Sequence, residues 1–417
     1  MSTRTEERQE LDPERTDRQL GLLRLFVGLL FGLGLAAVMG ALGGVLVILA
    51  VLGMIVLHEL GHFATAKWTG MKVTEFFVGF GPRLWSVRKG ETEYGVKALP
   101  LGGYCKIPGM TMLEEVDPRD EARTYRQQGF LKRLLVATAG SATHFILAFL
   151  LLYGGLAFGA ILPLNAEPLA EVGLLGELPG GAQTPAQAAG IDVGDRFVAV
   201  DGQLVRDWDQ VRNYIRERPG EPVAFLIERD GRRRTVTVTP ASAPDAQTGE
   251  MVGQIGVGPA YETYNALSAV PAAGKEVGEF TVVTLGALGE LVTPSGISRY
   301  VDQIQGEEVQ PDDPRFLSPI GLAQVADTAA DSGITTILFL LIAINIFVGM
   351  FNMVPLLPLD GGHVAIAAYE AIRSRRGKRY FADVSKLQPV LILTLALLAA
   401  LALTSLWLDI FRPLQLN

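Results

Sequence analysis

The sequence is poor in cysteine, in histidine and in charged residues. Cys105 is the only cysteine among 417 residues, so neither an intrachain disulfide nor a four-cysteine zinc site can form. Charged residues make up 19% of the chain, and 44 acidic residues outnumber 36 basic ones. Nucleic-acid-binding surfaces are strongly basic. The composition therefore excludes a disulfide scaffold and predicts no nucleic-acid partner.

Hydrophobic residues make up 49% of the chain and fall into runs long enough to cross a bilayer, for which about 20 apolar residues suffice. A single helix over residues 20–66 would be about 70 Å long, against a hydrocarbon core of about 30 Å. Glycines near residue 40 therefore favour a turn between two helices, although a cleaved signal peptide is the alternative for residues 1–40. We predict five spans, near residues 22–40, 43–66, 134–160, 334–357 and 388–410.

The distribution of charge predicts which loops face the cytoplasm. Residues 164–331 carry 25 acidic and 12 basic residues, whereas 67–133 carry 8 acidic and 12 basic ones. Because basic loops remain on the cytoplasmic side, we expect the N-terminus, 67–133 and 361–388 in the cytoplasm and 164–331 outside it. The apolar stretch 268–293 contains four charged residues, which favours a helix on the outer membrane surface over a sixth span.

The second span carries an H-E-x-x-H pattern from His58 to His62. Residues four apart share a helix face, so both imidazoles can reach one metal ion, while Glu59 can take a proton from the attacking water. The pattern alone is only moderately specific. Titratable side chains inside an apolar span are costly, however, and usually mark function.

Catalytic zinc sites usually have three protein ligands, and Asp360 is the candidate for the third. It lies in the motif that begins at Asn352, and the parity of the spans puts it at the same membrane leaflet as the two histidines. Pro355 and Pro358 break regular helix there, and irregular backbone at membrane depth must line a wet cavity or be buried in protein. The alternative is a proline kink with an ordinary interfacial aspartate.

Four motifs resemble those of the site-2 protease family of intramembrane zinc metalloproteases (peptidase M50), most closely its bacterial branch with a PDZ domain. They are H-E-L-G-H at 58–62, F-V-G-F-G-P at 77–82, K-A-L-P-L-G-G-Y at 97–104 and N-M-V-P-L-L-P-L-D-G-G at 352–362. Residues 79–118 are similar to actinobacterial members that cleave anti-sigma factors. The resemblance covers nearly everything from residue 43 onward.

This resemblance implies a Zn²⁺ ion bound by His58, His62 and Asp360, with Glu59 as general base. It also implies that Asn352 contacts the substrate backbone or the developing oxyanion. One departure concerns His144, which stands where the family often has an asparagine. Both a neutral, hydrogen-bonded histidine and a role in the site remain open for it, and the role of His363 is equally open.

Residues 92–107 predict a hairpin that turns at Gly102-Gly103 and could dip into the membrane. An extended substrate could add to its edge. The alternative is a surface hairpin that only packs the loop. Cys105 within it is expected to be a small apolar filler. The predicted substrate-binding residues are Leu99, Pro100, Leu101, Gly102 and Gly103.

The segment 185–202 resembles the signature of bacterial PDZ domains. A helix over 208–218 and strands over 223–228 and 235–239, joined by Asp230-Gly231, are expected to follow it. Such a domain could bind a peptide by strand addition, or act as a filter that admits only trimmed substrates.

We therefore expect a multispan α-helical membrane protein of about five transmembrane helices, with an inserted extracytoplasmic PDZ-like α+β domain and a membrane-associated β-hairpin. Its predicted function is intramembrane zinc proteolysis in the cell (inner) membrane, near the cytoplasmic leaflet, on single-pass proteins such as anti-sigma factors or signal-peptide remnants. The alternatives are a metalloprotease that cuts outside the bilayer and a non-catalytic membrane-anchored PDZ adaptor.

The expected segments follow from these boundaries. They are a cytoplasmic tail (1–21), two transmembrane helices (22–66), a cytoplasmic loop with the hairpin (67–133), a transmembrane helix (134–163), the PDZ-like domain (164–262), an extracytoplasmic amphipathic linker (263–333), a transmembrane helix with the L-D-G motif (334–362), a cytoplasmic basic segment (363–387) and a last transmembrane helix with its tail (388–417).

Overall fold

A computed structural model describes residues 34, 42–110, 116–176, 183–245, 248–306, 315–374 and 379–413. The predicted first span, 22–40, lies outside the described residues except for Gly34. The chain forms two compact units, one made of Met1–Gly155 with Val270–Asn417 and the other of Leu156–Ala269. We call them the helical unit and the inserted unit.

Ten helices and ten strands are found in the described part of the chain. In chain order they are α1 (Leu42–Trp68), β1 (Glu75–Lys89), β2 (Thr92–Lys106), α2 (Phe130–Ala157), β3 (Leu169–Leu175), α3 (Pro185–Ala188), β4 (Arg196–Val200), β5 (Gln203–Leu204), α4 (Trp208–Arg216), β6 (Val223–Arg229), β7 (Arg232–Val238), β8 (Ala241–Pro244), β9 (Met251–Gln254), β10 (Val257–Ala260), α5 (Ala269–Leu291), α6 (Pro294–Gln305), α7 (Pro319–Asp331), α8 (Ile334–Phe351), α9 (Asp360–Arg373) and α10 (Gln388–Phe411).

Four helices of the helical unit are long and apolar enough to cross a membrane, and they correspond to four of the five predicted spans. They cover Gly43–Trp68, Phe130–Ala157, Ile334–Phe351 and Ser385–Phe411. A fifth candidate is the pair α5 and α6, which meets the length and composition of a span only if both are taken together and which is bent by 74°. The expected surface helix over 268–293 stays a prediction.

The predicted span 334–357 is too long, since α8 ends at Phe351 and α9 begins at Asp360. Two prolines, Pro355 and Pro358, stand in the gap, and each lacks the backbone donor that a continuing helix needs. The predicted basic segment over 363–387 is likewise helical in its first part, because α9 extends to Arg373. The L-D-G motif thus stands at the start of a new helix, after an irregular segment over residues 352–359.

The hairpin predicted within 92–107 has the wrong partner strand. Residues 92–106 form the single strand β2, which pairs with β1 through a turn near Gly90, as shown by the Lys89–Thr92 pair. Phe76 of β1 is paired with both Tyr94 and Cys105, so the two halves of β2 lie on either side of β1 and do not pair with each other across Gly102-Gly103. The missing partner strand, Glu75–Lys89, contains two glycines and a proline, which hid it from a propensity argument.

The inserted unit is a small α+β domain. Its main sheet has the strand order β10-β3-β4-β6-β7, with β5 paired to β4, and its core includes Phe197, Trp208 and Phe225. The predicted hairpin at Asp230-Gly231 is confirmed, because Arg229 pairs with Arg232 and both turn residues have positive φ. Asparagine, aspartate and glycine accept that backbone most readily.

Candidate metal centre

His58 and His62 lie one helical turn apart on α1 and turn their rings toward the interior of the helical unit. They are 7% and 6% exposed, in a helix whose neighbouring residues are almost all apolar. Their Nε2 atoms are 3.2 Å apart, and the ring centroids are 4.8 Å apart. The spacing of four residues thus brings two nitrogen donors to one point inside a predicted span.

Asp360 reaches the same point from the first turn of α9. Its Oδ2 atom lies 3.3 Å from Nε2 of His62 and 3.5 Å from Nε2 of His58. The turn before it is tight, because Gly361 N donates to Asn352 O at 2.8 Å and a Cβ on Gly361 would stand 2.2 Å from the Met353 carbonyl oxygen. Glycine at 361 is therefore needed for the bend that aims Asp360 at the histidines.

The donor set fits a zinc ion. Nδ1 of His62 donates to the Val136 carbonyl oxygen at 2.7 Å, which leaves the lone pair of a neutral ring on Nε2. That lone pair faces the Asp360 Oδ2 atom, which has no hydrogen-bond donor. Electron pairs that face each other at such distances repel unless a cation lies between them. Two ligands about 2.1 Å from a tetrahedral ion stand about 3.4 Å apart, which matches the observed separations.

Among the described residues, His58, His62 and Asp360 form the one group of three or more histidine, cysteine or acidic side chains that could hold a metal. All three residues that the sequence predicts as ligands are in it. Because a tetrahedral ion would have one further position beyond these three, the set is of the open, catalytic kind.

Helix α2 forms the wall behind the two imidazoles. A Cβ on Gly140 would stand 2.4 Å from His58 Cε1 and from His62 Nε2, so no larger residue fits there. A Cβ on Gly61 of α1 would likewise stand 2.8 Å from the Ala139 carbonyl oxygen. The two helices thus touch through glycines at the level of the cluster.

His144 lies one turn further along α2, with its ring 5.1 Å from that of His58. It is 1% exposed, and its Nδ1 is 2.9 Å from Oδ1 of Asn345, whose amide also donates to the Leu341 carbonyl oxygen at 2.8 Å. Since Oδ1 can only accept, Nδ1 carries the proton. The neutral, hydrogen-bonded reading of His144 agrees with this geometry.

Glu59 lies between the histidines in sequence and faces β2. A Cβ on Gly103 would stand 3.3 Å from Cγ of Glu59, so the glycine lets the strand approach the carboxyl group. The neighbouring Cys105 is packed beside the core of Ala66, Met71 and Val73, and burial raises the pKa of its thiol. A protonated thiol is a poor nucleophile, as expected of an apolar filler.

Two of the other predicted substrate-binding residues lie on an exposed part of β2. Leu99 is 51% exposed and Pro100 is exposed, while Gly102, at φ +147°, lies against the Phe80 ring. The side chain of Leu101 is outside the described part of the structure. Asn352 is tied to the aspartate turn through its backbone oxygen, as described above. Of the predicted substrate-binding residues, Gly103 thus lies beside Glu59, and Asn352 lies beside the turn that carries Asp360.

The remaining histidine, His363, lies one turn after Asp360 and packs edge-on against Tyr125, with centroids 6.2 Å apart. Several residues around the cluster were not singled out from the sequence. Val136 acts through its backbone oxygen, which leaves no trace in a sequence. Gly140 carried a weak signal, being a glycine inside an apolar helix.

Comparison with known proteins identifies the family. A family model described as peptidase family M50 matches residues 46–396. The chain belongs to peptidase family M50. The chain is 36% identical to zinc metalloprotease Rip1 of Mycolicibacterium smegmatis over 412 residues, which cover 91% of this chain and 99% of the relative. It is 37% identical to zinc metalloprotease Rip1 of Mycobacterium tuberculosis over 402 residues, which cover 90% of this chain and 98% of the relative.

A more distant relative is a putative zinc metalloprotease of Rhizobium meliloti, 29% identical over 77% of this chain and 85% of its own. Two solved structures match short parts of this M50 peptidase. One is a solution structure from Geobacillus thermodenitrificans, with 29% identity, a TM-score of 0.15 and coverage of 18% of this chain and 82% of that one. The other is a PDZ domain from Listeria innocua, with 21% identity, a TM-score of 0.18 and coverage of 23% of this chain and 99% of that one. With TM-scores this low, neither match bears on the fold.

This M50 peptidase is a zinc metalloprotease of the site-2 type, and zinc is its cofactor. The family and the apolar helices also make it a membrane protein. The predicted family, enzyme class and cofactor are thus confirmed. The class also decides between the protease and the non-catalytic adaptor that the sequence left open.

Proposed function

We propose that this zinc protease cuts single-pass membrane proteins within or near their transmembrane segments, with His58, His62 and Asp360 holding the metal. The observation that carries the proposal is the convergence of two imidazole nitrogens and one carboxylate oxygen, 3.2 to 3.5 Å apart. The histidines belong to a helix long and apolar enough to span a bilayer. Peptide-bond cleavage outside the membrane would not need ligands in such a helix.

Glu59 is the general base of the proposed reaction. Zinc at this site supplies Lewis acidity, which polarises a carbonyl group and lowers the pKa of water. Glu59 takes the proton of the attacking water and passes it to the departing amine, a transfer that contributes about 10²- to 10⁴-fold to the rate. Asn352, tied to the aspartate turn through Gly361, binds the substrate backbone or the developing oxyanion.

The substrate is held as an extended strand beside β2. A transmembrane helix must unwind before its carbonyl can react, and unpaired backbone groups in lipid cost several kcal/mol each. A strand added along Leu99–Gly103 would satisfy these groups. The support for this step is Gly103, whose lack of a side chain brings the strand within contact of Glu59.

The proposed orientation is supported by the charge pattern, and the proposed substrates by the resemblance of residues 79–118 to actinobacterial members of the family. The basic residues of 67–133 and 361–388 put the centre near the cytoplasmic leaflet of the cell membrane and the inserted unit outside. There the inserted unit, a PDZ-like domain, binds a peptide end or excludes substrates with large ectodomains. The substrates are anti-sigma factors or signal-peptide remnants.

The test is cleavage of a tagged transmembrane peptide by the full-length protein in proteoliposomes. We expect Glu59→Gln to lose at least about 100-fold in rate while retaining its zinc. A chelator should abolish cleavage, and added zinc should restore it. Glu217→Gln is the matched control, because Glu217 is 72% exposed and lies in the inserted unit.

Two results would reject the assignment. One is cleavage that continues unchanged in Glu59→Gln and in chelator-treated protein. The other is product mass spectra that place every cut outside the hydrophobic segment of the peptide and its flanks, which would favour a membrane-anchored protease that acts in water. Substrate identity is then tested in cells, where proteins that accumulate uncut in the presence of Glu59→Gln are the candidates.

A further inference from the structure

The N-terminal turns of α2 touch both helices that carry the proposed ligands, although α2 supplies no ligand itself. Val136 O accepts the hydrogen bond from His62, and Gly140 lies against both imidazole rings. Arg133 begins the same stripe, three residues before Val136 and seven before Gly140, so the three share one face of the helix. This face of α2 is the common surface on which α1 and α9 are assembled.

Helix α9 is fixed to that surface by a buried ion pair. Nη1 of Arg133 donates to Oε2 of Glu370, and the two side chains are 7% and 5% exposed. The second oxygen of Glu370, Oε1, accepts from the backbone N–H of Ala382 at 2.7 Å. Both carboxylate oxygens are therefore used, and the segment that leads into α10 is attached at the same point.

Tyr125 supports the pair from the other side. The Arg133 guanidinium lies 5.0 Å from the centroid of the Tyr125 ring, whose hydroxyl donates to the Arg133 carbonyl oxygen at 3.2 Å. The same ring packs edge-on against His363 of α9. Helix α9 is thus fixed at two points, near its start by the Tyr125 ring and near its end by the ion pair with Arg133.

A buried ion pair adds little to net stability, because desolvation opposes its attraction, but separating the two partners is costly, because it leaves a buried charge unpaired. Glu370 stands ten residues after Asp360, about 15 Å along a rigid helix. A rotation or a slide of α9 that separated Glu370 from Arg133 would therefore also move the Asp360 carboxylate relative to the histidines. No other charged side chain of α9 is buried in the described structure.

We propose that Arg133 and Glu370 are positioning residues, which hold Asp360 at ligand distance from His58 and His62 through the rigid body of α9. The inference rests on the proposed assignment of Asp360 as a zinc ligand. It predicts that loss of the pair weakens zinc binding in protein that is still folded.

The experiment uses full-length protein in detergent or nanodiscs and two readouts besides cleavage. One is the rate of zinc release into excess chelator, and the other is the visible absorption spectrum after cobalt substitution, which reports the ligand geometry. The variants are Glu370→Gln, Arg133→Met and Arg133→Lys. Arg315→Met is the matched control, because Arg315 and Asp409 form another buried ion pair of the helical unit, 5% and 0% exposed, at 2.6 Å.

We expect Glu370→Gln and Arg133→Met to release zinc about 10- to 100-fold faster than the wild type, with a changed cobalt spectrum, as for other residues that orient metal ligands. Arg133→Lys, which keeps the charge, should restore part of the difference. Arg315→Met should lower the thermal midpoint but leave zinc release and the cobalt spectrum unchanged. Glu370→Gln preserves the size of the side chain and Arg133→Lys preserves the charge, so these two variants carry the test if Arg133→Met does not fold.

Two outcomes would overturn the positioning role. One is zinc release from folded Glu370→Gln at the wild-type rate, and the other is equally fast release from Arg315→Met at equal loss of stability, which indicates general loosening. Failure of the proposed function looks different. In that case Asp360→Ala itself would release zinc at the wild-type rate.

Discussion

Oδ2 of Asp360 lies 3.3 Å from Nε2 of His62, although the two residues belong to the two separate stretches of sequence that form the helical unit. Nothing in the described structure donates a hydrogen bond to this oxygen. A carboxylate that faces two imidazole nitrogens is costly to bury without a cation. The pairing is therefore better explained as a metal site than as a contact that stabilises the apoprotein.

The first prediction concerns the aspartate. Asp360→Asn keeps the size of the side chain but removes its negative charge, so we expect at least tenfold weaker zinc binding and loss of cleavage. Competition with a chromogenic chelator measures the affinity. Because the uncharged side chain relieves the repulsion within an empty cluster, the apoprotein should be no less stable than the wild-type apoprotein. Unchanged zinc affinity would exclude Asp360 as a ligand.

The second prediction separates helix stability from metal binding at Gly140. Alanine has a higher helix propensity than glycine by about 1 kcal/mol, so Gly140→Ala would be expected to stabilise α2 if the site were open. Its Cβ would instead stand 2.4 Å from both imidazoles. We therefore expect the zinc content to fall while the protein still folds as a helical membrane protein.

Gly154→Ala is the control for this substitution. Gly154 lies on the same helix, but a Cβ there meets nothing within 4 Å. Zinc content and cleavage should remain at the wild-type level in Gly154→Ala. If Gly140→Ala binds zinc as well as Gly154→Ala does, a side chain at 140 is tolerated. That result would contradict the close approach of α2 to the histidines.

The sequence predicts the features that depend on local chemistry or on the order of spans. The turn at Asp230-Gly231 follows from the residues that accept positive φ. The missing third ligand of the H-E-x-x-H pattern, together with the parity of the spans, predicts that Asp360 joins the two histidines. Long-range contacts without a local signature are different. Arg133 and Glu370 read as ordinary charges near helix ends, and nothing in their neighbours indicates that they meet.

The register of β1 and β2 shows a second limit. Gly102-Gly103 has the composition of a turn, yet in the structure Gly102 bends a continuous strand at φ +147° against Phe80. Gly103 instead supplies the space that Glu59 needs. Glycine thus predicts that the backbone is unusual at these positions, but tertiary contacts decide whether the result is a turn, a bend or a close approach.

The third prediction tests the approach of β2 to the catalytic carboxyl group. Gly103→Val would put a branched side chain against Cγ of Glu59, where even a Cβ stands 3.3 Å away, and against the Phe77 carbonyl oxygen at 3.0 Å. We expect the rate of cleavage to fall at least tenfold with unchanged zinc content, because a misplaced general base slows the reaction without disturbing the ligands. Loss of zinc in the folded variant would contradict this separation of roles.

The last prediction concerns Glu91, which joins the β1–β2 turn to the end of α1. Its carboxylate accepts from Arg123 at 2.7 and 2.9 Å and from Lys67 at 2.5 Å. These bonds, that of Arg123 above all, lower the pKa of Glu91 from 4.5 to about 2. Since the folded state holds the proton less tightly than the unfolded chain, the contribution of Glu91 to stability is complete above about pH 4.5 and is lost as the pH falls toward 2.

Glu91→Gln should therefore lower stability by about 1 kcal/mol at pH 7, the upper range for a partly exposed ion pair, and the difference from the wild type should shrink as the pH approaches 2. Thermal unfolding in detergent at a series of pH values measures it, and high salt should reduce the effect at pH 7. A difference that stays constant down to pH 2 would assign the destabilisation to packing. Lys67 lies in the last turn of the helix that carries His58 and His62. If its contact with Glu91 keeps β1 and β2 beside Glu59, cleavage by Glu91→Gln should fall while zinc is retained.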